Sequence, residues 1–242
     1  MSSLERWSLA EFAAEGRTYP TYRRGRGPVV VLIHELPGIT PEVITFADEV
    51  VEAGFTVVMR RLFGTPGGAF NLANMASSVP RVCVNREFNK LRTNTTSPIA
   101  VWLRDLARSL HAELGGPGVG ALGMCFTGGF ALAMMVDPAV AAPVVAQPSL
   151  PFAVGAQRKR DLGLSPADLA VVTERAAQGC QVLGIQYDQD QATGDRFDRL
   201  DEVLGANFLR VEIPGRKHAT LTAHRQQIAV DAVLAFFTDK LH

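Results

Sequence analysis

The stretch Gly123-Met-Cys-Phe-Thr-Gly-Gly129 sets a cysteine between a short apolar run and a helical apolar pattern. Val119-Gly-Ala-Leu122 reads as a strand, and Phe126, Ala131, Leu132, Met134 and Met135 read as the helix that follows. A side chain on so sharp a turn projects away from the backbone, and the first amides of the next helix face whatever it attacks. The positive end of that helix favours a thiolate and a developing oxyanion. The chemistry this points to is attack of the Cys125 thiolate on a carbonyl carbon. A buried cysteine in a glycine-rich turn is the plainer reading of the same residues.

A thiol nucleophile needs a base, and the base needs a group that orients it. His218 ends Pro214-Gly-Arg-Lys-His218, directly after an apolar run at Phe208–Ile213. Asp190 ends Tyr187-Asp-Gln-Asp190, directly after the predicted strand Gln181–Tyr187. Nucleophile, acid and histidine, each past the carboxyl end of a strand, follow the chain order of α/β-hydrolases. Asp188 offers a second carboxylate. Asp190 is preferred because the loop acid usually stands a few residues past its strand. Asp195 reads as a helix cap. His111 and His242 read as solvated, and His224 as a structural residue within the last helix.

The elements that must carry these residues alternate along the chain. Val29-Val-Val-Leu-Ile33 is a β-branched run suited to a strand buried on both faces. Thr40-Pro-Glu42 opens a helix with Val43, Ile44, Phe46, Ala47, Val50 and Val51 on one face, closed by Gly54. Phe55 to Met59 is the next strand, which makes a parallel unit. Residues 60–96 are rich in Gly, Pro and Asn and read as an irregular segment or lid. A helix opens near Pro98. Later come a strand over Ala141–Ala146, a helix opened by Ser165-Pro-Ala-Asp168, a helix over Asp195–Leu204 and a last helix over Ala219–Leu241.

The 242 residues suit one α/β domain spanning 1–242. With 24 basic and 24 acidic residues the net charge is zero, and no basic stripe suggests nucleic acid. No run is long enough to span a bilayer or to serve as a signal peptide. Cys83, Cys125 and Cys180 are an odd count without Cys-x-x-Cys spacing, which fits free thiols in a cytoplasmic protein.

Other motifs fail on context. His34-Glu-Leu-Pro-Gly38 lacks the second histidine of a helical zinc motif, and Pro37 breaks a helix. Gly116 to Ala121 precedes a strand where a dinucleotide fingerprint would follow one. Gly129 stands where a phosphate loop needs lysine. No metal and no cofactor is expected.

With these motifs in place, the chain from about Val29 onward resembles the dienelactone hydrolase family. The anchors are Val-Val-Val-Leu-Ile-His-Glu-Leu-Pro-Gly38, the cysteine elbow, the acid loop ending at Asp190, and Pro-Gly-Arg-Lys-His218. The resemblance implies an α/β-hydrolase fold, a mostly parallel sheet with helices on both faces. It also implies Cys125 as nucleophile, His218 as base and Asp190 as orienting acid. Glu35 matches the family glutamate that lies near the thiol and helps control its ionisation. The backbone N–H groups of Leu36 and Phe126 would form the oxyanion hole. The substrate would be a small ester or lactone, cleaved through a thioester acyl-enzyme.

Two places depart from the family pattern. Thr127 stands where the elbow usually has glycine. Thr220 to Thr222 stand where members that hydrolyse dienelactone carry an arginine for its carboxylate. Arg60, Arg61, Arg81 and Arg216 are the candidate substitutes for substrate binding. The rivals to ester hydrolysis are a thioesterase or acyltransferase with the same three residues, a non-catalytic binding protein, and a redox-sensing thiol on Cys125.

Overall fold

The structure is a computed structural model, and it describes residues 4–69, 71 and 92–242. Arg81, Cys83 and most of the expected 60–96 segment lie outside the described residues.

Eight strands form one sheet: β1 (Ser8–Ala14), β2 (Arg17–Arg24), β3 (Val29–Ile33), β4 (Thr56–Arg60), β5 (Val119–Met124), β6 (Val140–Ala146), β7 (Val182–Tyr187) and β8 (Phe208–Ile213). Their spatial order is β1-β2-β4-β3-β5-β6-β7-β8. The hairpin β1–β2 is antiparallel and joins β4 antiparallel, and every pairing from β4 to β8 is parallel. The sheet is therefore mostly parallel, in an α/β-hydrolase arrangement. The antiparallel hairpin at its edge was not expected from the sequence.

Alternation along the strands feeds two cores. Val30 and Leu32 of β3 face a core shared with α1 (Pro41–Glu52) and with the C-terminal helix Gln227–Leu241. Val29, Val31 and Ile33 face the opposite core, built on α2 (Pro98–Leu114) and α3 (Gly128–Met134). This is the two-residue period of a strand covered on both sides. A third cluster joins β6, β7 and β8 to α5 (Pro166–Ala177) and α6 (Arg196–Leu204). Between α3 and α5 lies the short α4 (Ala156–Arg160), for which the sequence reading named no element.

Caps fall where the sequence placed them. Thr40 Oγ1 accepts from the Val43 N–H at 3.4 Å, and Ser165 Oγ from the Asp168 N–H at 3.1 Å. Asp195 occupies the cap of α6 but makes no side-chain capping bond.

The last helix, α7, starts at Gln227 and not at Ala219. Residues 219–226 are a series of turns. Thr220 and Thr222 point their hydroxyls inward, to Gln147 and Glu35, so this segment bonds to the site and not to a helical ladder. His224 is thus exposed in a turn, with its carbonyl accepting from the Tyr187 hydroxyl at 2.6 Å.

Candidate active site

The strand order reverses at β3, whose sequence neighbour β4 lies on one side and β5 on the other. Ligands of open α/β sheets bind beyond the carboxyl ends of strands at such a point. Ile33 is paired with Gly123 across β3 and β5, so the segments that carry Glu35 and Cys125 leave the sheet side by side.

Cys125 has φ +53°, in the left-handed region that a side chain adopts only under constraint. Close packing explains the turn. A Cβ on Gly123 would stand 2.3 Å from the Thr127 carbonyl oxygen, and one on Gly128 would stand 2.6 Å from Pro148 Cα. Glycine at these positions lets the helix approach the strand. Thr127, in the place of the family glycine, is fully buried. Its Oγ1 accepts from the Met124 N–H at 3.1 Å and lies 2.9 Å from the Ile33 carbonyl and 3.2 Å from that of His34. The threonine ties the elbow to the end of β3 and so braces the turn.

His218 and Asp190 meet across the adjacent ends of β8 and β7. Nδ1 of His218 donates to Asp190 Oδ2 at 2.6 Å. Cys125 lies close enough for its charge to act on the ring. Burial opposes a charged imidazole here, but the hydrogen bonds and charges of Asp190 and Cys125 outweigh it and push His218 up to about 10. Burial likewise opposes the Asp190 carboxylate. Hydrogen bonds from His218, Thr193 and the Ala192 N–H outweigh it and hold Asp190 below its ordinary value. Asp188 is used elsewhere, accepting from the Gly215 N–H at 2.8 Å.

Glu35 is buried at 4% exposure and accepts a hydrogen bond from the Thr222 hydroxyl. Burial pushes its carboxyl up from the ordinary range, against the pull of Thr222, His218 and Gln147. Thr222 belongs to the stretch where the family arginine was sought. Its hydroxyl faces the glutamate.

The Leu36 N–H is oriented by its neighbour. His34 is fully buried, and burial is the main reason its pKa falls to about 4, so the ring is neutral at pH 7. Its Nε2 accepts from the Leu62 N–H at 2.9 Å, which leaves the hydrogen on Nδ1 to donate to the Glu35 carbonyl at 3.0 Å. In a planar trans peptide the next N–H points the opposite way. The Leu36 N–H is therefore aimed away from His34. Phe126, the residue after the cysteine, lies in the short helical turn Cys125–Thr127 that leads into α3.

The candidate substrate arginines are dispersed. Arg60 is buried, its guanidinium 3.6 Å from the ring centre of Tyr19 and 4.9 Å from that of Trp102. Arg61 is exposed and donates to the Gly64 carbonyl at 3.1 Å. Arg216, also exposed, donates to Gln189 at 2.8 Å.

Ser149 was not singled out from the sequence. Its Oγ lies 3.5 Å from Cys125 Sγ, and its N–H donates to the Cys125 carbonyl at 3.0 Å. It follows the end of β6, next in line to β5. That position, not any motif, was the signal that could have found it. Among the described residues no three His, Cys, Asp or Glu side chains gather as a metal site, and no helix is long and apolar enough to cross a membrane.

The chain is similar over 96–98% of its length to several solved structures. A dienelactone hydrolase from Anabaena variabilis is 15% identical with a TM-score of 0.68, and 98% of each chain is covered. A cold-adapted esterase from an Arctic intertidal metagenomic library is 13% identical with a TM-score of 0.62, covering 97% of this chain and 93% of that one. A dienelactone hydrolase-like protein from Klebsiella pneumoniae is 15% identical with a TM-score of 0.63, covering 96% and 98%. At these identities the likeness shows the fold. No curated protein sequence matches the chain. The model of the dienelactone hydrolase family matches residues 17–219, most of the chain, a span that contains Glu35, Cys125, Asp190 and His218. The chain belongs to the dienelactone hydrolase family and is a hydrolase of the α/β-hydrolase fold.

Proposed function

We propose that the protein hydrolyses a carboxylic ester or lactone with Cys125 as nucleophile, His218 as acid–base and Asp190 as the group that orients it. The observation that carries this reading is His218 Nδ1 held at 2.6 Å by Asp190, with Cys125 on its positive-φ turn close enough for its charge to act on the ring. A protonated His218 is the partner a thiolate needs.

In the first step Cys125 Sγ attacks the carbonyl carbon, and the oxygen takes up the negative charge. The N–H groups of Leu36 and Phe126 are the proposed donors to it, and main-chain donors suit an oxyanion of any substrate. As the tetrahedral intermediate collapses, His218 gives its proton to the departing alcohol. Water then attacks the thioester, His218 takes a proton from it, and release of the acid restores the thiolate beside the protonated His218. Ser149 Oγ, in reach of Sγ, donates a hydrogen bond to the thiolate. The whole of 1–242 is read as one hydrolase domain.

The test is hydrolysis of a panel of aryl esters and lactones by the wild type and by Cys125→Ala. We expect turnover in the first and none above background in the second. Equal turnover in both would overturn the reading.

A further inference from the structure

Arg196 stands out among the charged side chains of the described residues. It is fully buried, at the first position of α6. A cation at a helix N-terminus faces the positive end of the dipole, and a buried cation costs desolvation as well. Burial accordingly lowers its pKa, to about 10, and the nearby charges of Asp161 and Asp195 only partly oppose this. Yet none of its hydrogen bonds goes to a carboxylate. All six go to main-chain carbonyls.

Those carbonyls come from three separate segments. Nη1 donates to Thr193 at 2.6 Å, Ala192 at 3.3 Å and Pro148 at 3.4 Å. Nη2 donates to Arg158 at 2.9 Å and to Pro151, and Nε donates to Asp161 at 2.8 Å. Ala192 and Thr193 are the residues that hold Asp190. The Ala192 N–H and the Thr193 hydroxyl each donate to its carboxylate at 3.0 Å. Pro148 and Pro151 flank Ser149, the residue beside the Cys125 sulfur. A planar guanidinium with five donors can join such segments at fixed angles, and an ammonium cannot.

We propose that Arg196 is a positioning residue for the reacting groups: it holds the 190–193 turn that aims Asp190 at His218, and ties that turn to the loop that sets Ser149 beside Cys125. The inference rests on the reading of Cys125, His218 and Asp190 as the reacting line.

The test is Arg196→Lys, measured for kcat and KM separately and, by NMR, for the titration of His218. Cys125, Asp190, Glu35 and His224 are the titratable groups around that ring. We expect KM near the wild-type value and kcat down about 10- to 100-fold, the scale of an ångström-sized misplacement. The His218 midpoint should fall by about one pH unit or more as Asp190 loosens. A variant that loses only thermal stability, with kcat and the His218 titration unchanged below its melting point, overturns the proposal. If Arg196→Lys does not fold, Arg196→Gln, which removes the buried charge, is measured in its place. Failure of both to fold would make Arg196 a purely structural residue and would also overturn it. The NMR titration needs no turnover, so it reads Arg196 even if Cys125→Ala retains activity and the reacting line itself is wrong.

Discussion

His218 Nδ1 lies 2.6 Å from Asp190 Oδ2, while Asp188, two residues earlier, gives its carboxylate to the Gly215 N–H at 2.8 Å. Two acids in one loop thus have separate tasks, one on the imidazole and one on the β8 turn. Asp190→Asn should lower kcat by about three to four orders of magnitude, since the wrong tautomer of His218 is then favoured. Asp188→Asn should stay within about tenfold of wild type, since only a capping hydrogen bond is weakened. Steady-state kinetics of the two variants decides this, and a reversed ranking would contradict the assignment.

The same pair makes stability depend on pH in a defined window. Folding raises His218 from its ordinary 6.5 to about 10, so its contribution is complete below 6.5 and is lost as pH rises through about 10. Folding lowers Asp190 from 3.8, so its contribution is complete above 3.8 and is lost as pH falls through its folded value. The difference in unfolding free energy between wild type and His218→Gln should therefore be largest between about pH 4 and 6.5 and should narrow toward pH 10. Denaturant titrations across that range measure it.

Glu35 differs in that its charge costs stability. Burial raises its carboxyl in the folded state, so the cost of its charge is absent at low pH and grows as pH rises. Glu35→Gln keeps an oxygen for Thr222 and removes that charge. We expect its melting temperature to exceed that of wild type by a few degrees at pH 9 and to approach it at pH 5. A fixed offset at both pH values would contradict the burial account.

Thr127 is testable as a brace. Thr127→Val removes the hydroxyl that serves the Met124 N–H and reaches the Ile33 and His34 carbonyls. Leaving buried polar groups unpaired costs about 1–3 kcal/mol. Thermal unfolding should show that loss, and Thr127→Ser should restore most of it. Equal stability of all three proteins would mean that the hydroxyl carries no load.

How much of this could be read from the chain depended on the range of the interactions. The β3 run Val29–Ile33 is buried on both faces, so its composition alone declared a central strand. Cys125, Asp190 and His218 were legible because each follows a recognisable strand in a fixed order. The β1 strand was not legible: it is an edge strand with mostly exposed residues, and Ser8–Ala14 shows no apolar alternation. The start of α7 was misplaced because Thr220 and Thr222 are drawn to Gln147 and Glu35, partners far away in sequence. Ser149 and Arg196 are of the same kind. Their partners lie largely in loops distant in sequence.

The central claim is that acyl transfer passes through the Cys125 sulfur. The most direct measurement is mass spectrometry of the protein quenched in acid during turnover of an aryl ester, in wild type and in His218→Ala and Cys125→Ala variants. We expect one acyl group on the peptide that contains Cys125 in the wild type, labelling slowed strongly in His218→Ala, and none in Cys125→Ala. An acyl group on another residue, or ester turnover that persists in Cys125→Ala, would contradict the claim.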